Sequence, residues 1–244
     1  MNTTQEGFRK RAVQPLICFK LGWNLIKDQY WMMVGVTFVG MLIGSLVPMG
    51  IVMGPMMCGI YLCVFSKMRG EKVSFDLLFK GFDFFAESLI ATLIMIVPII
   101  LCLVPLYIVM ILAMTMGAAG NCPADPSRVL SALIPILVVV IIFFFLFALA
   151  VGVFFIFAYP LIADRKISGI NAIKTSARAA WANLGGLAAL LLINMALGLI
   201  GMCCCYIGAI FIMPVGFAAL AFAYRQVFGA ESGTMDADVQ IRQP

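Results

Sequence analysis

The stretch "ADRKISGINAIKTSARAAWANL", residues 163–184, decides how the chain threads. It gathers Asp164, Arg165, Lys166, Lys174 and Arg178 between two long charge-free runs, Arg128 to Asp164 and Arg178 to Arg225. Asp28 to Lys67 and Glu87 to Asp125 are also free of charge. Ionised side chains are costly in hydrocarbon, and a helix needs about 20 apolar residues to cross it. The gaps therefore mark where the chain meets lipid. The first and last contain "VPMG" (47–50) and "CYIG" (205–208), Gly/Pro punctuation that reads as a turn between two short spans. Each middle gap reads as one long span. Six spans are predicted, at 30–47, 51–66, 88–115, 130–160, 185–204 and 207–224.

With six spans, the N-terminal arm, the 67–87 and 161–184 loops and the tail share one side. Of the 16 Lys and Arg, only Arg128 falls opposite. Positive loops stay in the cytoplasm, so both termini are expected there. Dividing 130–160 into two spans would move Arg165, Lys166, Lys174 and Arg178 outside and erase the asymmetry.

Composition agrees. The 244 residues are 64% hydrophobic and 11% charged, against about a quarter charged in a soluble domain, and mean hydropathy is +1.12. So few charges cannot supply a polar shell. The opening "MNTTQEGFRKRAVQPLICFKLGW" has no unbroken apolar region or small-residue cleavage site, so no signal peptide is expected. The expected fold is an all-α, polytopic membrane helix bundle. Residues 1–229 form one six-span domain, and 230–244 form a flexible cytoplasmic tail.

Three cytoplasmic segments are expected to lie in the membrane interface. In 168–184, Ile170, Ile173, Ala177, Trp181 and Leu184 fall at helical spacing, with Lys174 and Arg178 on the other face. Ser168 is placed to cap its start. Residues 12–27 are similar, with Val13, Leu16, Ile17 and Ile26 against Lys20 and Lys27, and "SFDLLFKGFDFFAE" (74–87) is rich in phenylalanine. These helices can simply seal the bundle floor. They can also dock anionic lipid or a partner, with Lys174, Arg178, Arg165 and Lys166 as contacts. Membrane lipids and other membrane proteins are the expected partners, and nucleic acid is not.

A faint duplication links 12–70 with 168–229, with spans 88–160 inserted between. Each half has an amphipathic helix, two short spans around a glycine turn, an inner Pro55 or Pro214 and a closing Gly70 or Gly229, at a constant offset of 159 residues. Both halves would enter from the same side, making the repeats parallel. Gly40 and Gly44 have the spacing that lets helices pack closely. Pro98, Pro105 and Pro135 are expected to kink the long spans.

The triplet Cys203–Cys204–Cys205 ends the fifth span. Neighbouring helical side chains point about 100° apart, so three in a row do not converge on one metal. The chain has neither histidine nor a CxxC motif, and no metal or cofactor is expected. Two readings remain for the triplet: small apolar filler, or a disulfide from one of the three to Cys122 in the external loop.

The spans carry no ionisable residue of the kind that marks a proton or ion path. Asn194 is their most polar residue. With Thr92 and Tyr107 it would either pack helices together or line a neutral cavity. No Ser/His or Cys/His pair, metalloprotease motif or phosphate loop occurs, so no catalytic residue is assigned and no enzyme is expected.

Residues 161–229 carry a resemblance. A span ending in Asp-Arg-Lys, "AIKTSARAAWAN", two short spans, an inner proline and a Tyr-Arg near the exit are similar to the C-terminal half of uncharacterised six-span bacterial membrane proteins. These are the DUF975/DUF2189-like families and the membrane domain attached to some glycerophosphodiester phosphodiesterases. "MGIVMGPMMCGIYLCVFSKMRGEKVSFDLLFKGF" resembles their first half. The resemblance implies an all-helical inner-membrane protein and supplies no catalytic residue; no phosphodiesterase domain accompanies it. The leading expectation is a non-enzymatic scaffold or accessory subunit. The alternative is a transporter or lipid-handling protein with a neutral intramembrane cavity.

Overall fold

A computed structural model describes residues 8–10, 12–46, 50–118, 126–203 and 207–229. Among the described residues ten α-helices follow in order: α1 Pro15–Ile26, α2 Tyr30–Leu46, α3 Met53–Met68, α4 Phe75–Phe79, α5 Phe85–Ala118, α6 Pro126–Phe155, α7 Ala158–Arg165, α8 Gly169–Ala182, α9 Leu184–Cys203 and α10 Ile207–Phe228. Single 3₁₀ turns join α1 to α2 and α4 to α5. No strand occurs among the described residues. Five segments there are long and apolar enough to cross a membrane: Pro15–Leu46, Phe75–Leu101, Val138–Arg165, Leu184–Cys203 and Gly208–Phe228. The α3 helix is apolar but has only 16 residues. It spans about 24 Å, against a hydrocarbon core of about 30 Å.

Packing divides the chain into two units. One comprises Met1–Thr92 with Val153–Pro244, and the other Leu93–Gly152. In the first, α3 is the most enclosed helix, packed by α2, α4 and its following turn, α7 and α10. Twelve of its residues are buried, among them Cys58, Tyr61, Cys63 and Phe65. Gly44 faces Met53 and Gly40 faces Ile60, so this glycine pair seats α2 on α3 within the chain. In the second unit, α5 and α6 present Leu101, Tyr107, Val139 and Phe143 outward. This surface suits lipid as solvent.

The α1 helix runs antiparallel along α10: the Gln14 N–H donates to Gln226 Oε1 at 3.0 Å, Gly22 abuts Ala218 and Ala219, and the Tyr30 hydroxyl donates to the Phe211 carbonyl at 2.7 Å. The contact covers roughly 22 Å of α10 at 1.5 Å per residue. The physical reason is Gly22, which lets the two backbones meet where any larger side chain would hold them apart.

The region of the predicted 130–160 span holds two helices within one candidate crossing, Val138–Arg165. It breaks at Ile156–Phe157 and resumes as α7 to Arg165. Pro160 explains the position, because a proline ring clashes with the carbonyl four residues earlier, here that of Ile156. The helices run unbroken through Pro98, Pro105 and Pro135.

Gly70 and Gly229, 159 positions apart, close α3 and α10 in the same way, with φ of +80° and +74°. This left-handed conformation favours glycine at a helix C-terminus. The equivalent helices are covered differently, however. Around Gly59, α3 is met by Leu78 and Gly81 of the α4 segment, whereas α10 is met around Ala218 by α1. The amphipathic α8 packs mainly on α7.

Candidate functional site at the charged helix ends

Polar chemistry in the first unit concentrates around α7, which the end of α10 and the middle of α8 each reach. The Asp164 carboxylate accepts the Tyr224 hydroxyl at 2.8 Å and Arg225 Nη2 at 3.3 Å. Side-chain exposure is 15% for Asp164 and 22% for Arg225, so this ion pair is largely withdrawn from water, and the tyrosine supplies the further hydrogen bond such a pair needs. Arg225 lies over the Phe65 ring at 5.1 Å. Arg165 donates to the Phe228 carbonyl at 3.3 Å and lies 5.2 Å from that ring. A cation on a C-terminal carbonyl satisfies an orphan acceptor and complements the helix dipole. Phe65, Phe157, Tyr224 and Phe228 form the aromatic wall.

Ser176 fills the break between α6 and α7. Its hydroxyl accepts the Phe157 N–H at 3.1 Å and donates to the Phe154 carbonyl at 2.7 Å. At the other end of α8, Ser168 sits at the cap position without a side-chain cap bond. Glu87 takes that role, accepting the Gly169 N–H at 2.6 Å. Gly169 is small enough to lie against the Glu87 backbone, and a carboxylate at a helix N-terminus also meets the positive end of its dipole.

Asn183, the single residue between α8 and α9, holds the N-terminal arm. Its Oδ1 accepts the Ala12 N–H at 2.8 Å, and its Nδ2 donates to the Arg9 and Ala179 carbonyls. The Arg9 N–H donates to the Val227 carbonyl at 2.7 Å. The arm thus lies against the end of α10. Beyond α3, Ser66 and Arg69 both bond Glu71 and hold its carboxyl down at about 2, the guanidinium being the larger cause.

The residues singled out from the sequence separate into distinct environments. Lys174, Arg178 and Lys166 are exposed, whereas Arg165 is engaged by Phe228. Lys174 and Arg178 do not take the face opposite Ile170 and Trp181 as expected above, because positions 170, 174, 178 and 181 follow one stripe of the helix. Gly169, Ala172, Ser176, Ala179 and Ala180 are buried, while Ile170 and Trp181 are exposed beside Lys174 and Arg178. Small side chains let α8 approach α7 closely, and the larger apolar ones need no protein cover at a lipid boundary.

Thr92 and Asn194 have different partners. Thr92 is buried; its hydroxyl donates to the Ser88 carbonyl at 2.8 Å and meets the Tyr159 hydroxyl at 3.0 Å. Asn194 lies against Gly216 in the α9–α10 contact. Tyr107 belongs to the second unit and is exposed. Cys203 is an exposed free thiol, and Cys122, Cys204 and Cys205 lie outside the described residues. No cluster of three metal-ligating side chains occurs among the described residues. A shallow groove of about 310 Å³ on α5 is lined by Val97, Ile100, Leu101 and Val104, all apolar, and offers no group for acid–base or nucleophilic chemistry.

Nothing in the sequence pattern marks Ser176, Asn183, Glu87 or Tyr224 with Arg225 for the roles they hold in this region. A hint was available for Asp164: an acid beside two basic residues at a span end can pair with a basic residue ending another span.

No family model, curated protein or solved structure matches the chain. Its own helices define the class, a multi-pass helical membrane protein.

Proposed function

We propose that this chain is a non-enzymatic scaffold or accessory subunit of a membrane assembly in a bacterial inner membrane. The observation that carries the reading is the use of its polar groups. Asp164, Thr92, Ser176 and Asn183 are all bonded within the chain, and Asn194 is pressed into a helix contact. What the protein presents outward is apolar helix, above all on α5 and α6.

In this reading α2, α3, α5, α6 with α7, α9 and α10 cross the membrane, with both termini in the cytoplasm. Support comes from the N-terminal arm, which bonds the end of α10 through Arg9 and Val227. The parallel-repeat reading is supported by the matching left-handed glycines at 70 and 229. The resemblance to uncharacterised six-span families accords with this assignment. The α5 and α6 faces are the natural contact for a partner.

Photo-crosslinking in cells from Leu101 and Phe143, each replaced by a benzophenone amino acid, tests the proposal. A discrete protein adduct is expected. Lipid adducts alone, together with solute uptake by reconstituted vesicles, would replace the scaffold reading with transport.

A further inference from the structure

We propose that the outward face of α8 docks the headgroups of anionic glycerophospholipids in the bilayer that the chain spans. Only Asn183 separates α8 from the apolar 20-residue α9, so the C-terminal end of α8 stands at the start of a span. Its orientation is fixed from both ends, by Glu87 on Gly169 and by Asn183 on the N-terminal arm. Ser176 pins the middle to the α6–α7 break. With the small-residue face buried, the opposite stripe must face out, and it consists of Ile170, Lys174, Arg178 and Trp181.

Lys174 and Arg178 are one helical turn apart, and neither has an ion-pair or hydrogen-bond partner among the described residues. The helix contains no acid, and the two acids that the structure sets beside α7 and the start of α8 are committed, Asp164 to Tyr224 and Arg225 and Glu87 to Gly169. Lys166, exposed in a left-handed conformation just before the helix, adds a third cation. Ile170 is 49% and Trp181 71% exposed, an apolar residue at one end of the stripe and an interfacial aromatic at the other. A basic stripe with apolar ends fits a headgroup layer, into which the apolar groups dip while the cations meet phosphate. A protein partner would have to bring acids to a surface already held at the bilayer. The inference requires only that α9 spans, and stands whether or not the chain is a scaffold.

The test uses full-length protein in nanodiscs of equal phosphatidylglycerol and phosphatidylcholine, with retained lipid measured by native mass spectrometry after extraction. Lys174→Gln/Arg178→Gln is expected to lower retained phosphatidylglycerol about fivefold or more, since each cation near an anionic surface contributes several-fold to affinity. Lys174→Arg/Arg178→Lys is expected to keep it, as is Lys20→Gln on α1. Thermal midpoints in pure phosphatidylcholine should match across the set. Where the Gln pair fails to fold, high salt on the wild type gives the same reading, through loss of the excess phosphatidylglycerol. Equal retention in the Gln pair, salt-insensitive retention, or loss of a co-purifying protein with lipid unchanged would each overturn the proposal.

Discussion

Ser176 occupies the gap that Pro160 opens: its hydroxyl takes the Phe157 N–H at 3.1 Å and gives its own proton to the Phe154 carbonyl at 2.7 Å. One side chain of α8 thus satisfies two backbone groups released when the helix breaks. A buried backbone group without a partner costs about 1–3 kcal/mol, so the bridge ties α8 to the start of α7.

Ser176→Ala should therefore destabilise the fold by about 1–3 kcal/mol, read as a lowered unfolding midpoint in mild detergent. In a Pro160→Ala background the helix can close across the break, and the same substitution should cost less. Equal costs in the two backgrounds would show that Ser176 is not serving the break.

The Asp164 pair should behave as a unit. Asp164→Ala leaves Arg225 and Tyr224 without their shared acceptor in a site largely closed to water, at a cost of about 2–4 kcal/mol. Tyr224→Phe removes one hydrogen bond and should cost about 1 kcal/mol. In the double variant the costs should fall short of their sum. Strict additivity would mean that the three side chains do not interact.

Glu87→Ala removes a cap supplied from another helix and should cost about 0.5–2 kcal/mol. The loss is local, so hydrogen exchange should quicken at the first amides of α8 before other helices respond. Unchanged exchange there, with accelerated exchange elsewhere, would contradict the capping role.

Glu71 gives the pH dependence. Its carboxyl titrates at about 2 in the folded chain, below its ordinary value of 4.5, because Arg69 and then Ser66 favour the charged form. The resulting stabilisation is fully present above pH 4.5 and is lost as pH falls toward 2. Arg69→Gln should raise the midpoint, as followed by NMR titration. An unmoved midpoint would remove Arg69 as the cause.

That the chain carries several long apolar helices could be read directly, since charge gaps report the cost of burying ions in lipid. The facing of α8 could not. Periodicity separates Ile170 and Trp181 from Ala172, Ser176 and Ala179, but it does not say which set is covered by protein when the alternative is a lipid boundary that accepts apolar groups. For α1, the amphipathic pattern does not name its packing partner; that depends on Gly22 meeting Ala218 and Ala219, nearly two hundred residues away. The break at Ile156–Phe157 belongs to Pro160, which lay at the edge of the predicted span, while the prolines deeper in the long helices interrupt nothing. Asp164, Tyr224 and Arg225 meet only through tertiary packing.

The most direct test of the membrane threading is labelling of single cysteines, placed in a cysteine-free background, by an impermeant maleimide in intact cells. Lys10→Cys, Lys72→Cys and Lys174→Cys should react only after the membrane is permeabilised, and Asp125→Cys should react without it. Reaction of Lys174→Cys in intact cells, or protection of Asp125→Cys, would contradict the six-crossing arrangement with its basic connectors inside.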